Sequence, residues 1–485
     1  MKYFTLYPVL LIATTGLLFA CGGSASRSSS GTVAEQYQGV WLAPAYGMGL
    51  SITEREAAFI DYTYDSCLLS DSGTIDNDAQ ITEQYRLDSE RLVFFADTGT
   101  ADFYAPAITF ERAEALPEVC QQGYTPQLGD ADYRPEPEQD LAMLYQLINT
   151  YSISIERSNI DWDAEYQQAQ TLVNPQSTAA EVFDAMAPMV LSLQDIHTSI
   201  SSPVGVARGQ NKPLFAQLLL SEFMVDNNLS APLDQANSER ANQYIATQLL
   251  AYRDVAFEYA GDTGEINTDA NGLLTWFVND GLGYLRIDAM TGFSDDDTHS
   301  ASLNALERAL DRVLRDIRDT QGLVIDVRTN SGGNDFLSLA IASRFVDQKT
   351  HVYSKQAGQI GQRTELVDVY LQPRGESQYV KPIVLLTSAS TVSAAEVFSL
   401  AMRSLNHVTL MGESTQGAFS DELEKKLPNG FEISFSNEVY LSPEGEWFEG
   451  SGVPVDISVA MFTQQERQQE TDIAINTAIE YLLAR

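Results

Sequence analysis

The hydrophobic pattern changes character several times along the 485-residue chain. Residues 1–20, MKYFTLYPVLLIATTGLLFA, carry one lysine and then an almost unbroken apolar run. That is the pattern of a signal peptide, short and lightly flanked for a membrane span. Residues 21–34 are small and polar, the composition of a flexible tether. From 35 to 128, short aromatic and β-branched runs such as GVWLAPAYGMGLSIT, AFIDYTYDSC and APAITFERA are broken by Gly, Asp and Ser. They predict a separate, small β-rich domain. The polar, proline-containing GDADYRPEPEQ reads as a linker. From 129 to 275 the period is mostly helical, as in Val182, Met186, Met189 and Leu193, and predicts a helical cap region.

From 276 to 485 strands and helices alternate. GLGYLRID and the continuous apolar runs GLVIDVR (322–328), PIVLLT (382–387) and HVTLMG read as strands, the continuous ones buried on both faces. Between the first two, Leu303, Leu306, Leu310, Leu314 and Ile317 line one side of a helix over 301–319. A helix follows from about 335 to 346, another begins at Ser393, and TDIAINTAIEYLLAR closes the chain as a helix. FEISFSNEVYL has β-hairpin character. This alternation predicts an α/β core with a partly parallel sheet.

Charge narrows the partners. The formal net charge of −38 argues against nucleic acid and against anionic lipid surfaces. The leader ends in LFAC, which resembles the bacterial lipobox and implies that Cys21 is lipidated. The only expected link to a membrane is then this lipid anchor. Gly22 rather than Asp after the cysteine resembles outer-membrane sorting, with the protein facing the periplasm. Cys67 and Cys120 remain, an even pair that in an exported protein reads as a disulfide, or otherwise as two buried thiols. No dense Cys/His cluster offers a metal site, and no cofactor is expected.

The chemistry concentrates in three stretches. STVSAAEVFSLAM, 390–402, places Ser393 three residues before Glu396 at a helix start. Ser-x-x-Glu is a capping box, in which the hydroxyl would serve the backbone. The same position beside unpaired N–H groups and the positive helix end also suits a nucleophile. LVIDVRTNSGG ends in Gly332 and Gly333, where backbone can approach a ligand closely. GESTQGAFSDELEKKLPNG, 412–430, is a Gly-rich turn leading into a hairpin.

Together these resemble the tail-specific, or C-terminal processing, serine peptidase family. Arg328, Asn330, Gly332 and Gly333 match its Arg-x-Asn-x-Gly-Gly. Ser393 to Glu396 match its nucleophile motif, and Gly412, Glu413, Thr415 and Gly417 match its Gly-Glu-x-Thr-x-Gly. The resemblance covers residues 138–485 and implies a ClpP/crotonase-like α/β core. One branch of the family carries a lysine after the third motif; here that position is Ala418, which rules out a Ser/Lys dyad there. Lys425 and Lys426 lie nearby, in what reads as an exposed turn or strand. The other branch, resembling the tricorn protease core, uses Ser, His and Glu. Its Leu-x-Asp-x-His-(Thr or Ser) pattern is matched by Leu193, Asp195, His197 and Thr198. Of the other three histidines, His299 reads as part of a solvated loop, while His351 and His407 begin strands. The branch's glutamate before Gly-Val-x-Pro-Asp is matched by Glu449, with Glu446 as a local competitor.

The resemblance therefore implies a catalytic triad of Ser393, His197 and Glu449. Ala394 and either Gly332 or Gly333 would supply an oxyanion hole, and the expected substrates are unfolded or extended polypeptides of the cell envelope. No PDZ module is recognisable. Two other expectations share the scaffold: a non-catalytic carrier of peptides or hydrophobic ligands, and an envelope interaction scaffold. Oligomeric state is not legible.

Overall fold

A computed structural model describes residues 32–485 except 95–107, 159, 263, 297, 360 and 362. The leader, Cys21 and most of the tether lie outside the described residues. Two compact units emerge. The first holds residues up to Gln210 with Lys355–Val367 and Ser420–Val439; the second holds Asn211–Ser354, Asp368–Phe419 and Tyr440–Arg485.

The first unit contains a seven-stranded antiparallel sheet. Its order is Cys67–Thr74, Glu56–Tyr62, Met48–Ile52, Gly39–Ala43, Ile108–Ala113, Arg91–Phe94, Tyr85–Asp88. Cys67 and Cys120 are joined by a disulfide. The β-rich stretch is not a separate body, contrary to the expectation for 35–128. Trp41, Leu50 and Phe110 share one core with Leu144 and Leu147 of the helix Pro137–Tyr151, and with Phe183 and Met186 of the helix Ala179–Ser192. The physical reason is that a sheet's apolar face must be covered, and these amphipathic helices cover it. Phe431 and Phe435 join the same core. Phe435 lies in, and Phe431 just before, a strand of a four-stranded antiparallel sheet ordered Glu422–Lys426, Glu432–Ser436, Ser199–Ser202, Gly205–Arg208. The hairpin expected over 431–441 thus lies one strand earlier, turning at Pro428–Gly430.

The second unit is built on a mixed seven-stranded sheet. Asn267–Thr268, Leu274–Asn279 and Leu282–Ile287 run antiparallel. Gly322–Asp326, Ile383–Thr387, Val408–Gly412 and Ile457–Ser458 then continue in parallel. Gly322–Asp326 and Ile383–Thr387 are buried at every position, as their unbroken apolar runs require. The boundary expected at 275/276 is displaced. The helix Gln235–Glu258 belongs here, because Ala256 packs with Phe277, Val324 and Met411. His299 is not in a loop; it opens the helix His299–Ile317, capped by Thr298, with its ring 4.8 Å from Phe336. Among the described residues, no helix is long and apolar enough to cross a membrane.

Candidate active site

Ser393 sits where the buried strand Ile383–Thr387 has ended and the helix Ala394–Arg403 begins. Its backbone is strained, with φ 59° and ψ −130°, a region that L-residues avoid. Neighbouring loops hold it there. Its N–H donates to Ala418 O at 3.0 Å and also faces Glu396 Oε2 at 3.2 Å. Val392 N–H donates to Asn330 O at 3.1 Å, and the Thr391 hydroxyl to Val327 O at 2.9 Å. The Ser393 hydroxyl makes no capping hydrogen bond.

Glu396 does the capping instead. Fully buried, its carboxylate accepts from Gly417 N–H at 2.6 Å and Ala418 N–H at 2.8 Å as well as from Ser393 N–H. It therefore ties the Gly-rich turn to the helix start. The Ser-x-x-Glu pattern marks Glu396 as half of a capping box but carries no sign of this tie to the turn.

The Arg-x-Asn-x-Gly-Gly stretch is shaped from beneath. The Arg328 guanidinium is buried between Asp326 and Asp472, donating to Asp326 at 2.7 and 3.0 Å and to Asp472 at 2.8 and 3.1 Å. Burial would raise the Asp326 carboxyl, but Arg328 outweighs it and holds it down at about 2. Arg328 is thus an anchor rather than a reacting group. Asn330 Nδ2 donates to Ile287 O, while its Oδ1 accepts from Gly332 N–H at 2.9 Å. That bond separates the two candidate glycines: Gly332 N–H is committed. Among the described residues, Gly333 N–H and Ala394 N–H have no acceptor. Gly332 itself, at φ +99°, lies against the nucleophile turn; a Cβ there would meet Ser393 Cβ at 2.6 Å and Val392 O at 2.7 Å.

Glu449 is buried, and its Oε2 accepts from Phe419 N–H at 3.1 Å. Gly450 N–H then donates to Gly417 O at 2.7 Å, so the Glu449 loop and the 417–419 turn are zipped together. The competitor Glu446 is half-exposed and pairs with Arg403 at 3.0 Å. Of the two carboxylates, only Glu449 joins the turn that Glu396 also holds.

His197 lies in the first unit, buried, on a turn set by Asp195. Asp195 Oδ1 accepts from His197 N–H at 2.9 Å, and Oδ2 from the Thr198 and Ser154 hydroxyls. Burial would raise the Asp195 carboxyl, but the neighbouring His197 and the Ser154 bond hold it below its ordinary value. Ser434 Oγ donates to His197 O at 2.8 Å. Asp195 thus orients the His197 backbone, and His197 Nδ1 is a buried nitrogen with no hydrogen-bond partner among the described residues.

Two lysines correct or extend the sequence reading. Lys425 is not exposed: it is fully buried in the strand Glu422–Lys426, its Nζ paired with Asp61. Lys355 bridges Asp421 at 3.1 Å and Glu438 at 2.7 Å, and the Tyr46 hydroxyl donates to Glu438 at 2.8 Å. Burial pushes the Glu438 carboxyl up to about 7 despite Lys355. No motif marks this cluster, since its members lie far apart in the chain. Among the described residues, no group of three or more His, Cys, Asp or Glu is arranged to hold a metal.

Residues 281–459 match peptidase family S41. The match takes in Gly332, Gly333, Ser393 and Glu449 and leaves His197 outside. The carboxy-terminal processing protease CtpA of Bacillus subtilis (strain 168) is 24% identical over 144 residues, 30% of this chain and 30% of that protein. A candidate CtpA-like serine protease of Staphylococcus aureus (strain bovine RF122 / ET3-1) is 25% identical over 226 residues, 46% of this chain and 39% of that protein. The matched stretches thus span 30% and 39% of the length of these curated relatives. The crystal structure of a candidate peptidase from Parabacteroides merdae ATCC 43184 superposes with a TM-score of 0.56 at 23% identity. It covers 72% of this chain and 98% of that one, a likeness of fold.

Proposed function

With residues 281–459 carrying the pattern of peptidase family S41, we propose that the chain is a serine endopeptidase that cleaves unfolded or extended polypeptides through an acyl-enzyme. The observation that carries this reading is Ser393. It is held at a strained φ of 59° by its neighbours, and its hydroxyl makes no capping hydrogen bond. Strain of this kind persists only where surrounding structure over-determines it, and it clusters at reacting residues.

In the proposed mechanism Ser393 Oγ attacks the peptide carbonyl. His197 takes the hydroxyl proton and delivers it to the leaving amine; Glu449 orients the imidazole and stabilises the imidazolium. The negative oxygen is held by Ala394 N–H at the helix start and by Gly333 N–H, with Gly332 N–H already taken by Asn330. Removing one such donor typically costs about 10²–10³ in rate. Water then hydrolyses the acyl-enzyme with His197 as base. The second unit would be ClpP/crotonase-like. A lipid on Cys21 would keep the enzyme in the cell envelope, at the outer membrane facing the periplasm.

The test is acyl-enzyme trapping. Residues 22–485 are treated with a serine-directed fluorophosphonate and the adduct is mapped by mass spectrometry, with Ser393→Ala and His197→Ala alongside. The expected adduct is on Ser393, absent in the first variant and strongly reduced in the second. A cooperatively melting wild-type protein without adduct would favour a carrier or scaffold instead.

A further inference from the structure

Lys212 has no place in the mechanism above, yet it occupies the junction of the two loops that build it. It belongs to the second unit, as do the partners named next. Its Nζ donates to Thr415 O at 2.5 Å, to Ser451 O at 2.6 Å and to Ser414 Oγ at 3.3 Å. Its backbone is locked on both sides by one side chain: Lys212 N–H donates to Gln416 Oε1 at 3.2 Å, and Gln416 Nε2 donates to Lys212 O at 3.1 Å. The preceding Asn211 donates from Nδ2 to Gly450 O.

These contacts fall on two short segments with defined tasks. Residues 414–419 present Gly417 N–H and Ala418 N–H to Glu396, and Phe419 N–H to Glu449. Residues 449–453 begin with Glu449 itself, and Val453 N–H returns to Thr415 Oγ1 at 2.7 Å. No side chain fits between them: a Cβ on Gly452 would meet Thr415 O at 2.0 Å and Lys212 Nζ at 3.0 Å. Lys212 thus spans the gap that the glycine leaves.

The chemistry of the contacts also says what the lysine is not. An ammonium has three N–H donors, and here three acceptors take them. A lysine acting as a base would present a lone pair instead. Burial lowers the Lys212 pKa, while the carboxylates of Glu396 and Glu413 oppose that fall. Both facing carboxylates favour the charged form.

We propose that Lys212 is a positioning residue, an ammonium strut that fixes the Glu449 loop against the turn holding Glu396, and so sets the geometry in which Ser393 and Glu449 operate. The functional half of this inference rests on the reading of Ser393 as nucleophile; the structural half stands without it.

The test uses the chain from residue 22 with Lys212→Met and Lys212→Arg beside wild type. Hydrogen exchange is read by mass spectrometry over 414–419 and 449–453. Ser393 labelling by a fluorophosphonate is read across pH, normalised to the folded fraction from a melt. In Lys212→Met, exchange should rise by about tenfold or more in both segments, the opening expected of a loop that has lost its tie. Labelling should fall by roughly 10–100-fold at every pH, as small misplacements do, with its pH midpoint unmoved. Lys212→Arg should recover most of both. A displaced midpoint in Lys212→Met would assign Lys212 to proton transfer and overturn the proposal. Unchanged exchange, or a lower melt with normal labelling of the folded fraction, would overturn it as well. If Lys212→Met does not fold, Lys212→Gln carries the same two readouts. If wild type is never labelled on Ser393, the nucleophile reading has failed, and the exchange measurement still decides whether Lys212 holds the loops.

Discussion

Replacing Ser393 by glycine and by alanine separates a strained nucleophile from a helix cap by the sign of the stability change. The serine Cβ is held at φ 59° and ψ −130°, where strain is worth about 1–3 kcal/mol for a residue with a side chain. Glycine relieves that strain but loses roughly 0.5–1 kcal/mol through the greater freedom of the unfolded chain. The net expectation for Ser393→Gly is a gain of about 1 kcal/mol over wild type, or about 2–4 °C for a unit of 150–250 residues. Alanine keeps the Cβ and therefore the strain. Because the hydroxyl makes no capping bond, Ser393→Ala should lie within about 0.5 kcal/mol of wild type. An ordinary N-cap serine behaves in the opposite way: alanine costs about 1 kcal/mol and glycine a few tenths. Urea unfolding of the three proteins, followed by circular dichroism at matched m-values, reads these differences directly. Both variants should lose fluorophosphonate labelling. A wild type more stable than both, with alanine the worst, would refute the strained-nucleophile reasoning and return Ser393 to the helix cap.

Three further outcomes are expected. Gly332→Ala forces a Cβ to within 2.6 Å of Ser393 Cβ at a φ of +99°. It should destabilise by about 1–3 kcal/mol and reduce Ser393 labelling of the folded protein, read by urea unfolding and mass spectrometry. Lys425→Met leaves the buried Asp61 carboxylate without its cation and should cost about 3–5 kcal/mol in chemical unfolding, most of it recovered by adding Asp61→Asn. Glu438 is nearly fully buried and its carboxyl is raised from 4.5 to about 7, mainly by burial. The folded state therefore holds a proton that the unfolded state has released between those values, and stability falls as pH rises through that window. Relative to Glu438→Gln, wild type should lose about 3 kcal/mol between pH 4.5 and 7 in urea titrations, and a flat difference would exclude the raised carboxyl.

The local elements were legible because their signals are local. The apolar runs 322–328 and 382–387 read as strands buried on both faces, and the stripe from Leu303 to Ile317 as one side of a helix. The unit boundaries were not legible. They depend on which distant surface covers an apolar face, and nothing in the segment 35–128 says that Phe431 and Phe435 will complete its core. Lys425 misled for the same reason. A charged pair in a strand reads as exposed until Asp61, over 360 positions earlier, supplies the partner that makes burial tolerable. At the candidate site the motif glycines and Ser393 could be found from spacing, but the division of labour between Gly332 and Gly333 could not. It turns on one hydrogen bond from Asn330.

That division extends to the Ser-x-x-Glu pattern. A capping box makes two reciprocal bonds, hydroxyl to backbone and carboxylate to backbone. Only the second is needed here, since Glu396 takes Ser393 N–H and two further amides from the Gly-rich turn. The N–H groups that an N-cap hydroxyl would serve are met by backbone instead: Ala395 N–H donates to Val392 O at 3.2 Å and Glu396 N–H to Ser393 O at 2.7 Å. Those carbonyls release the hydroxyl from the structural task that the sequence pattern assigns to it, while the buried carboxylate ties the Gly-rich turn to the helix start. Glu396→Gln should weaken that tie. An amide oxygen takes over only part of the load and carries no charge to complement the helix end. The turn carrying Gly417 and Ala418 should loosen, and Ser393 should drift toward an ordinary cap. Labelling should fall with stability, and a crystal structure of the variant should find Ser393 with negative φ. Full labelling with an unmoved Ser393 backbone would mean that the strain is imposed by the 327–332 loop alone, and that the pairing of serine with glutamate in this motif is only a cap.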